Sequence, residues 1–182
     1  DVVCHVIPSR MVAEIQRSAI TVWAAGNSRG LCQQNEALLW CLNSLPNSVS
    51  VAALDQNLYP QAYSTPGPGQ CSPDHPSVSA PTFGIVPWGG GFADQGFLGG
   101  GTSQCAPQVS GAMAILLTAF PDATVEAMKW ALAESALPVP LGRPTGWDPD
   151  TGFGMLQVAD AGRALEQFTG EHVSAPNSAR AT

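Results

Sequence analysis

The sequence predicts an α/β fold in which a mostly parallel sheet is flanked by helices. Apolar, β-rich segments alternate with segments of helical periodicity, as they do in layered α/β domains. The apolar segment at residues 20–25 stops at a Gly-Asn turn, which is typical of a buried strand in a parallel sheet. In such sheets functional residues gather at the carboxyl ends of strands, so we expect a site there.

Apolar segments bounded by turn residues predict the strands. They occupy residues 2–7, 20–25, 48–54 and 83–88. The stretches between them are rich in Gly, Pro and Ser, at residues 64–76, 89–101 and 145–154, and are predicted as loops.

Helical periodicity predicts four helices, at residues 11–17, 103–120, 124–135 and 155–168. The second is the clearest, because its apolar residues recur every three or four positions and Pro121 ends it. We therefore expect one domain over residues 1–168. The small, polar segment 169–182 is predicted to be a disordered tail.

The charge pattern narrows the classes of partner. The net charge is -7, and the seven Lys and Arg residues form no cluster, so nucleic acid is not an expected partner. No apolar run reaches the length that spans a membrane. The chain opens with Asp1 and not with a methionine followed by a basic segment, which leads us to expect a mature product or a fragment.

The five cysteines are an odd number. Cys32, Cys41 and Cys71 lie in loop-like sequence and could pair in an exported protein. The alternative is that all five, including Cys4 and Cys105, are unpaired small residues.

The most informative segment is G-G-G-T-S-Q-C-A-P-Q-V-S-G at residues 99–111. It places Ser103 after a glycine run and at the start of a long helix. The first turn of a helix offers unpaired N–H groups and the positive end of the dipole, which stabilise a developing oxyanion. Ser103 is therefore a candidate nucleophile. The alternative is that it only caps the helix.

A second signal is Asn27, which follows the apolar segment 20–25. An asparagine at the end of a strand can direct its amide N–H groups into a cleft. By itself it is more often an ordinary turn residue.

Together these segments resemble the subtilase family, the subtilisin-like serine peptidases. Asn27 and Ser103 stand in the family's order and are 76 residues apart (103 minus 27). The segments that match, each with the family pattern it resembles, are A-A-G-N-S at 24–28, N-S-V-S-V-A-A-L-D at 47–55 (V-x-V-A-A-x-D), Y-S-T-P-G-P at 63–68 (F-S-x-x-G-P), A-P at 80–81 (A-P-G), G-T-S at 101–103 and G-F-G-M-L-Q-V-A-D-A at 152–161 (G-x-G-x-x-N-x-x-x-A).

The resemblance implies a role for each matched residue. Ser103 corresponds to the nucleophile, and Asn27 to the side-chain donor of the oxyanion hole, with the Ser103 backbone N–H as the second donor. Ala24, Ala25 and Gly26 correspond to a wall of the pocket for the residue that precedes the scissile bond. The fold implied is an incomplete three-layer subtilisin-like fold, since the matches cover only the later part of the family's domain.

The sequence also departs from the family pattern. The usual motif reads G-T-S-M-A-x-P-H, whereas this chain has Gln104, Cys105 and Gln108 in place of Met, Ala and His. The family's catalytic Asp and His motifs do not occur before Ser103. The Asp-Thr-Gly at 150–152 follows the serine and lacks a preceding apolar strand, so it is interpreted as a loop.

Three histidines and two loops are interpreted as structural. His5, His75 and His172 lack the family's flanking residues, which favours core or surface roles. The loop at 148–152 faintly resembles a calcium loop but has no Glu at the twelfth position. The glycine run at 89–101 has no following Gly-Lys-Ser/Thr, which excludes a phosphate loop.

Two functions are consistent with these observations. The first is a serine endopeptidase that acts on peptide or protein substrates, is exported, and receives its Asp and His from the missing N-terminal part of the same domain. The second is a catalytically inactive, subtilase-shaped binding or assembly module. The sequence implies no cofactor or metal site, although calcium is possible in the family.

Overall fold

Three short parallel strands form the central sheet, in the order β1–β2–β3. They are β1 (Thr21–Ala24), β2 (Ser48–Leu54) and β3 (Val78–Pro81). The structure is a computed structural model, which describes residues 10–29, 42–69, 72–87, 96–140 and 146–174. Every residue of β2 is buried, as expected for the inner strand of a parallel sheet covered on both faces.

The register places the carboxyl ends of the strands at one edge of the sheet. β1 pairs with the first half of β2, so that Ala24 lies opposite Val51. β3 pairs with the second half, so that Val51 also lies opposite Val78. The chain leaving β1 at Ala24 therefore runs alongside the ends of β2 and β3, and it carries Asn27 toward that edge.

The strand predictions succeed in part. β2 has the predicted bounds, and β1 lies within the predicted segment 20–25. β3 was not predicted. The segment predicted at 83–88 contains β4 (Gly84–Pro87), which pairs antiparallel with β5 (Gly96–Gly99) in a separate two-stranded sheet. β5 falls in the glycine run that was predicted as a loop, and the strand predicted at 2–7 lies outside the described residues.

Four helices appear in the described chain. They are α1 (described over residues 10–15), α2 (Thr102–Ala119), α3 (Val125–Ser135) and α4 (Val158–Ser174). α2 and α3 lie within one residue of their predicted bounds. A 3-10 turn, Leu42–Ser44, precedes β2.

The last helix differs from its prediction at both ends. It was predicted to start at residue 155, but the Met155 backbone exchanges two hydrogen bonds of 2.9 Å with Leu137, and Leu156 N–H donates to the Ser79 carbonyl at 3.0 Å. These extended residues cannot belong to a helix, so α4 begins at Val158. It continues through Ser174, into the segment predicted as a disordered tail.

The hydrophobic core lies between the sheet and the helices. α2 packs against all three strands of the central sheet, while α3 and α4 pack against each other. The buried side chains include Val49, Val51, Val78, Val109, Met113, Met128, Leu132 and Leu165. The predicted α/β architecture, a parallel sheet flanked by helices, is confirmed.

The helices differ in the charges at their amino ends. α3 has Glu126 in its first turn and α4 has Asp160, whereas the first turn of α2 has no acidic residue. None of the 18 residues of α2 is an Asp, Glu, Lys or Arg. The end of α2 that carries Ser103 therefore has no carboxylate of its own.

Among the described residues, no helix is both long enough and apolar enough to cross a membrane.

Candidate active site

Ser103 is the second residue of α2, and it is exposed. The N-cap is Gly101, with φ of 101° and no side-chain cap hydrogen bond. The interpretation of Ser103 as the cap is therefore wrong. Its backbone N–H belongs to the first helical turn, where N–H groups have no partner within the helix. A hydroxyl and an N–H that can bind an anion thus lie on the same residue.

Asn27 reaches the turn that precedes Ser103. Its side-chain oxygen accepts hydrogen bonds from the Thr102 backbone N–H and from the Thr102 hydroxyl, both at 3.0 Å. The same hydroxyl accepts a bond of 3.0 Å from the Gly26 N–H. With its oxygen bonded twice, the Asn27 amide has one orientation, and its two N–H donors point away from Thr102. The two segments that the sequence singled out are in direct contact.

Gly101 allows this approach. A Cβ at position 101 would lie 3.1 Å from the Asn27 amide nitrogen, and the positive φ disfavours any side chain. The amide nitrogen of Asn27 therefore lies over the backbone that leads into Ser103. The glycine run in the sequence is explained at this position by close approach and backbone conformation.

The three residues predicted as a pocket wall lie where β1 ends. Ala24 and Gly26 are half-buried, whereas Ala25 is only 3% exposed and continues the pairing with β2 through a bond to the Val51 carbonyl. The carbonyls of Ala24 and Ala25 both lie within hydrogen-bonding distance of the Asn43 amide, at 3.2 and 3.4 Å. In the described chain, these residues can therefore offer a ligand their backbone groups and the Ala24 side chain. The methyl group of Ala25 is buried and is not available.

The loop that carries Asn27 is fixed by two neighbouring loops. Thr65 bonds it on both sides, because its N–H donates to the Gly26 carbonyl at 2.9 Å and its hydroxyl accepts from the Ser28 N–H at 3.1 Å. Arg29 donates to the Ser64 carbonyl at 3.0 Å and forms an ion pair with Asp150. Asp150 thus supports the Asn27 loop.

The Asp-Thr-Gly at 150–152 lies in a tight turn. The Asp148 carboxylate accepts from the backbone N–H groups of Asp150 and Thr151 at 2.9 and 3.2 Å, and the ends of the turn are bridged between Asp148 and Gly152. The interpretation of this segment as a loop agrees with its geometry.

His75 lies at the other end of the sheet. It precedes β3 by three residues and is fully buried, with Nδ1 at 2.7 Å from the hydroxyl of Ser50. Burial, with a smaller contribution from the positive charge of Lys129, lowers the pKa of His75 to about 4. A neutral, buried imidazole at the amino end of β3 is a core residue, as its sequence context favoured. His5 lies outside the described residues, as does the side chain of His172.

Three contacts near Ser103 involve residues whose roles the sequence did not predict. Tyr63 and Thr82 contact each other through their hydroxyls at 2.8 Å. Both also contact Gly101: its N–H donates to the Tyr63 hydroxyl at 2.9 Å, and the Thr82 hydroxyl donates to its carbonyl at 3.1 Å. The sequence did carry a signal for both residues. Tyr63 stands at the Phe position of the pattern F-S-x-x-G-P, and Thr82 stands at the Gly position of A-P-G.

The three motif departures also make hydrogen bonds. Cys105 is a free, buried cysteine whose thiol donates to the Ala80 carbonyl at 3.2 Å. Burial raises the pKa of this thiol to about 11, so it is protonated and a donor at neutral pH. The Gln108 amide donates to the Pro81 carbonyl at 2.7 Å. The Gln104 amide, with its nitrogen facing acceptors, donates to the carbonyls of Gly99, at 3.2 Å, and Thr82.

The other four cysteines lie outside the described residues, so their pairing stays a prediction.

A cavity of about 260 Å³ lies away from this site. It is lined by Asp74, Ser77, Lys129, Trp130, Phe153 and neighbouring residues, between α3 and the amino end of β3. Neither Asn27 nor Ser103 contributes to it. Over the described ranges, His, Cys, Asp and Glu side chains do not form a group of three or more that could hold a metal ion.

Comparison with solved structures finds proteases of the same fold. Fervidolysin from Fervidobacterium pennivorans, a keratinolytic enzyme related to subtilisin, is 25% identical with a TM-score of 0.63 over 84% of this chain. A lanthipeptide protease is 19% identical with a TM-score of 0.69 over 91% of this chain. MycP1 from Mycobacterium smegmatis is 23% identical with a TM-score of 0.58 over 80% of this chain. No curated protein sequence matches significantly.

The chain spans only part of these structures. It covers 24% of fervidolysin, 56% of the lanthipeptide protease and 42% of MycP1. The sequence model of the subtilase family matches residues 5–162, which is most of the chain. This match includes both Asn27 and Ser103, the parallel sheet and the first turn of α2, and the chain therefore belongs to the subtilase family.

Proposed function

We propose that this chain is the nucleophile-bearing part of a serine endopeptidase, which hydrolyses peptide bonds through an acyl-enzyme. The observation that carries the proposal is the double hydrogen bond from Thr102 to the Asn27 side-chain oxygen. It ties a side-chain amide donor to the helix turn that bears an exposed serine. Donors preorganised in this way stabilise the anion that develops in acyl transfer.

The proposed reaction has two stages. A base removes the Ser103 hydroxyl proton as Oγ attacks the scissile carbonyl carbon, and the carbonyl oxygen becomes an oxyanion that accepts from the Asn27 amide and the Ser103 N–H. The tetrahedral intermediate collapses, the amine leaves with the proton from the base, and an ester to Ser103 remains. Water then attacks this ester with the help of the same base, and the carboxylic acid product leaves.

The base and the aspartate that orients it come, in this proposal, from an N-terminal part of the same domain. His75 cannot serve, because it is buried beyond the amino end of β3 and its Nδ1 contacts the hydroxyls of Ser50 and Ser77. The substrate is a peptide or protein, and the enzyme acts outside the cytoplasm. No cofactor takes part in the proposed chemistry.

The position of His75 also favours a second candidate, a subtilase-shaped module that binds or assembles without catalysis. The two candidates differ in the reactivity of Ser103. In the full-length protein, a fluorophosphonate should label Ser103 covalently, and tryptic mass spectrometry should find the adduct on the peptide containing residues 101–108. Ser110→Ala is the matched control, since this serine lies two helix turns further along α2 and bonds to the Ala106 carbonyl.

Loss of the label in Ser103→Ala, and its retention in Ser110→Ala, would support the enzyme. An unlabelled but correctly folded full-length protein would support the non-catalytic module instead.

A further inference from the structure

The hydroxyls of Tyr63 and Thr82 form a closed ring of hydrogen bonds with the backbone N–H and carbonyl of Gly101. The Gly101 N–H donates to the Tyr63 oxygen, and the Thr82 hydroxyl donates to the Gly101 carbonyl. Each hydroxyl has one proton. Since the Thr82 proton is used on the carbonyl, the contact of 2.8 Å between the two hydroxyls must use the Tyr63 proton, with the Thr82 oxygen as acceptor. Every donor in the ring is used once.

The ring acts at a residue whose backbone conformation is constrained. Gly101 has a φ of 101° and is the N-cap of α2. Both of its backbone polar groups are bonded by side chains from other segments. Thr82 is 1% exposed, so water competes little for its bond to the Gly101 carbonyl. The orientation of the Gly101 peptide sets the direction in which Thr102 and Ser103 leave the turn.

A second set of contacts ties the same turn to the segment 80–82. Three successive carbonyls, of Ala80, Pro81 and Thr82, accept from the side chains of Cys105, Gln108 and Gln104 respectively. All three donors belong to the first two turns of α2. They are also the three positions at which this chain departs from G-T-S-M-A-x-P-H. The three side chains that depart from the family motif therefore all bond to the same segment, residues 80–82.

We propose that Tyr63 and Thr82 are positioning residues for the Ser103 nucleophile, which they fix through Gly101. Neither side chain needs to touch the substrate. They hold the first turn of α2 in the orientation at which the Ser103 Oγ and N–H and the Asn27 amide meet one carbonyl group. This inference rests on the proposed function for its catalytic part, while the ring itself is a property of the fold.

The test removes one ring hydroxyl at a time in the full-length protein. Tyr63→Phe and Thr82→Val each open the ring with little change of shape, and Thr82→Ser keeps the hydroxyl. Tyr59→Phe is the matched control, because Tyr59 is the other tyrosine of the chain and is 41% exposed. Hydrogen exchange at the Gly101 amide, followed by NMR, reports on the ring, and kcat and KM for a peptide substrate report on positioning.

Tyr63→Phe and Thr82→Val are each expected to speed Gly101 exchange about tenfold and to lower kcat about tenfold at unchanged KM, the scale of one hydrogen bond. The double variant should be little worse than either single variant, since a ring opened once is already open. Thr82→Ser and Tyr59→Phe should behave as wild type.

Unchanged Gly101 exchange, or fully additive effects in the double variant, would refute the ring. Faster exchange at unchanged kcat would refute positioning while the peptidase proposal stands. If the wild-type protein hydrolyses no peptide, the proposed function and the catalytic part of this inference both fail, and the exchange data still decide whether the ring holds the turn.

Discussion

The side-chain oxygen of Asn27 lies 3.0 Å from both the backbone nitrogen and the hydroxyl oxygen of Thr102. The two residues are 75 positions apart in sequence and come from the end of a strand and the start of a helix. Their contact fixes which atom of the amide remains available. The nitrogen, and not the oxygen, is left to bind a ligand next to Ser103.

Replacement of Asn27 by Ala should lower kcat by about 10²–10³ with little change in KM. The loss is expected because the amide would bind the oxyanion of the transition state more strongly than the carbonyl of the substrate. The magnitude is that of the same type of substitution in subtilisin, a relative, and does not come from this structure. Steady-state kinetics of the full-length protein with a peptide substrate measures it. A large rise in KM at constant kcat would contradict the assignment.

Replacement of Thr102 by Val should lower kcat about tenfold, whereas Thr102→Ser should retain most of it. Valine removes the hydroxyl that links the Gly26 N–H to the Asn27 oxygen, so the amide loses one of its two anchors. Thr102 is fully buried, which makes the unpaired Gly26 N–H an additional cost. Equal activity of the Val and Ser variants would show that the backbone N–H of Thr102 suffices to orient Asn27.

The isolated chain 1–182 should show no appreciable peptidase activity. A serine hydroxyl is a weak nucleophile at neutral pH without an adjacent base, and the one histidine whose side chain is described lies at the opposite end of the sheet. The release of a fluorogenic peptide product by purified chain, compared with the full-length protein at equal concentration, checks this. Hydrolysis by the isolated chain that disappears in Ser103→Ala would contradict it.

His75 should make the protein less stable in mild acid. The pKa of this histidine falls from 6.5 in the unfolded chain to about 4 in the fold, so between these values the unfolded state binds more protons. The free energy of unfolding therefore decreases as pH falls from about 6.5, by up to about 3 kcal/mol once pH reaches 4. Urea unfolding of the full-length protein across this range measures the change.

The matched variant for this pH effect is His75→Gln, which does not titrate. It should be less stable than the wild type at pH 7, because it lacks the imidazole that packs against Ser50. Its stability should fall less steeply between pH 6.5 and 4. Parallel curves for the two proteins would show that other groups cause the acid sensitivity.

Local sequence was sufficient for the elements with strong patterns of their own. β2 is a continuous apolar run with buried serines, and α2 and α3 have clear helical periodicity, so each was predicted nearly to the residue. Asn27 and Ser103 were identified as candidates from their positions after a predicted strand and at a helix start, together with the family resemblance. Their contact through Thr102 follows from parallel strands that end at one edge.

Elements that depend on distant partners were missed. β3 is only four residues long and ends in proline, and it exists because β2 supplies its hydrogen bonds. β5 begins and ends with glycine, a residue that weakens strands, and it forms by pairing with β4. The Tyr63–Thr82 ring could not be predicted, because it depends on the tertiary fold. No local pattern indicates that two hydroxyls 19 positions apart bond to the backbone of the same glycine.

The first turn of α2 has no acidic residue, which lowers the stability of the helix but keeps the electrostatic potential at this end positive. A carboxylate in the first turn, such as Glu126 provides for α3, typically stabilises a helix by about 0.3–1 kcal/mol. At α2 the same carboxylate would place a negative charge beside the position where an oxyanion must form. Because no carboxylate neutralises this end of α2, the positive field of its 18 aligned peptide units stays directed at Ser103. The helix is less stable as a result.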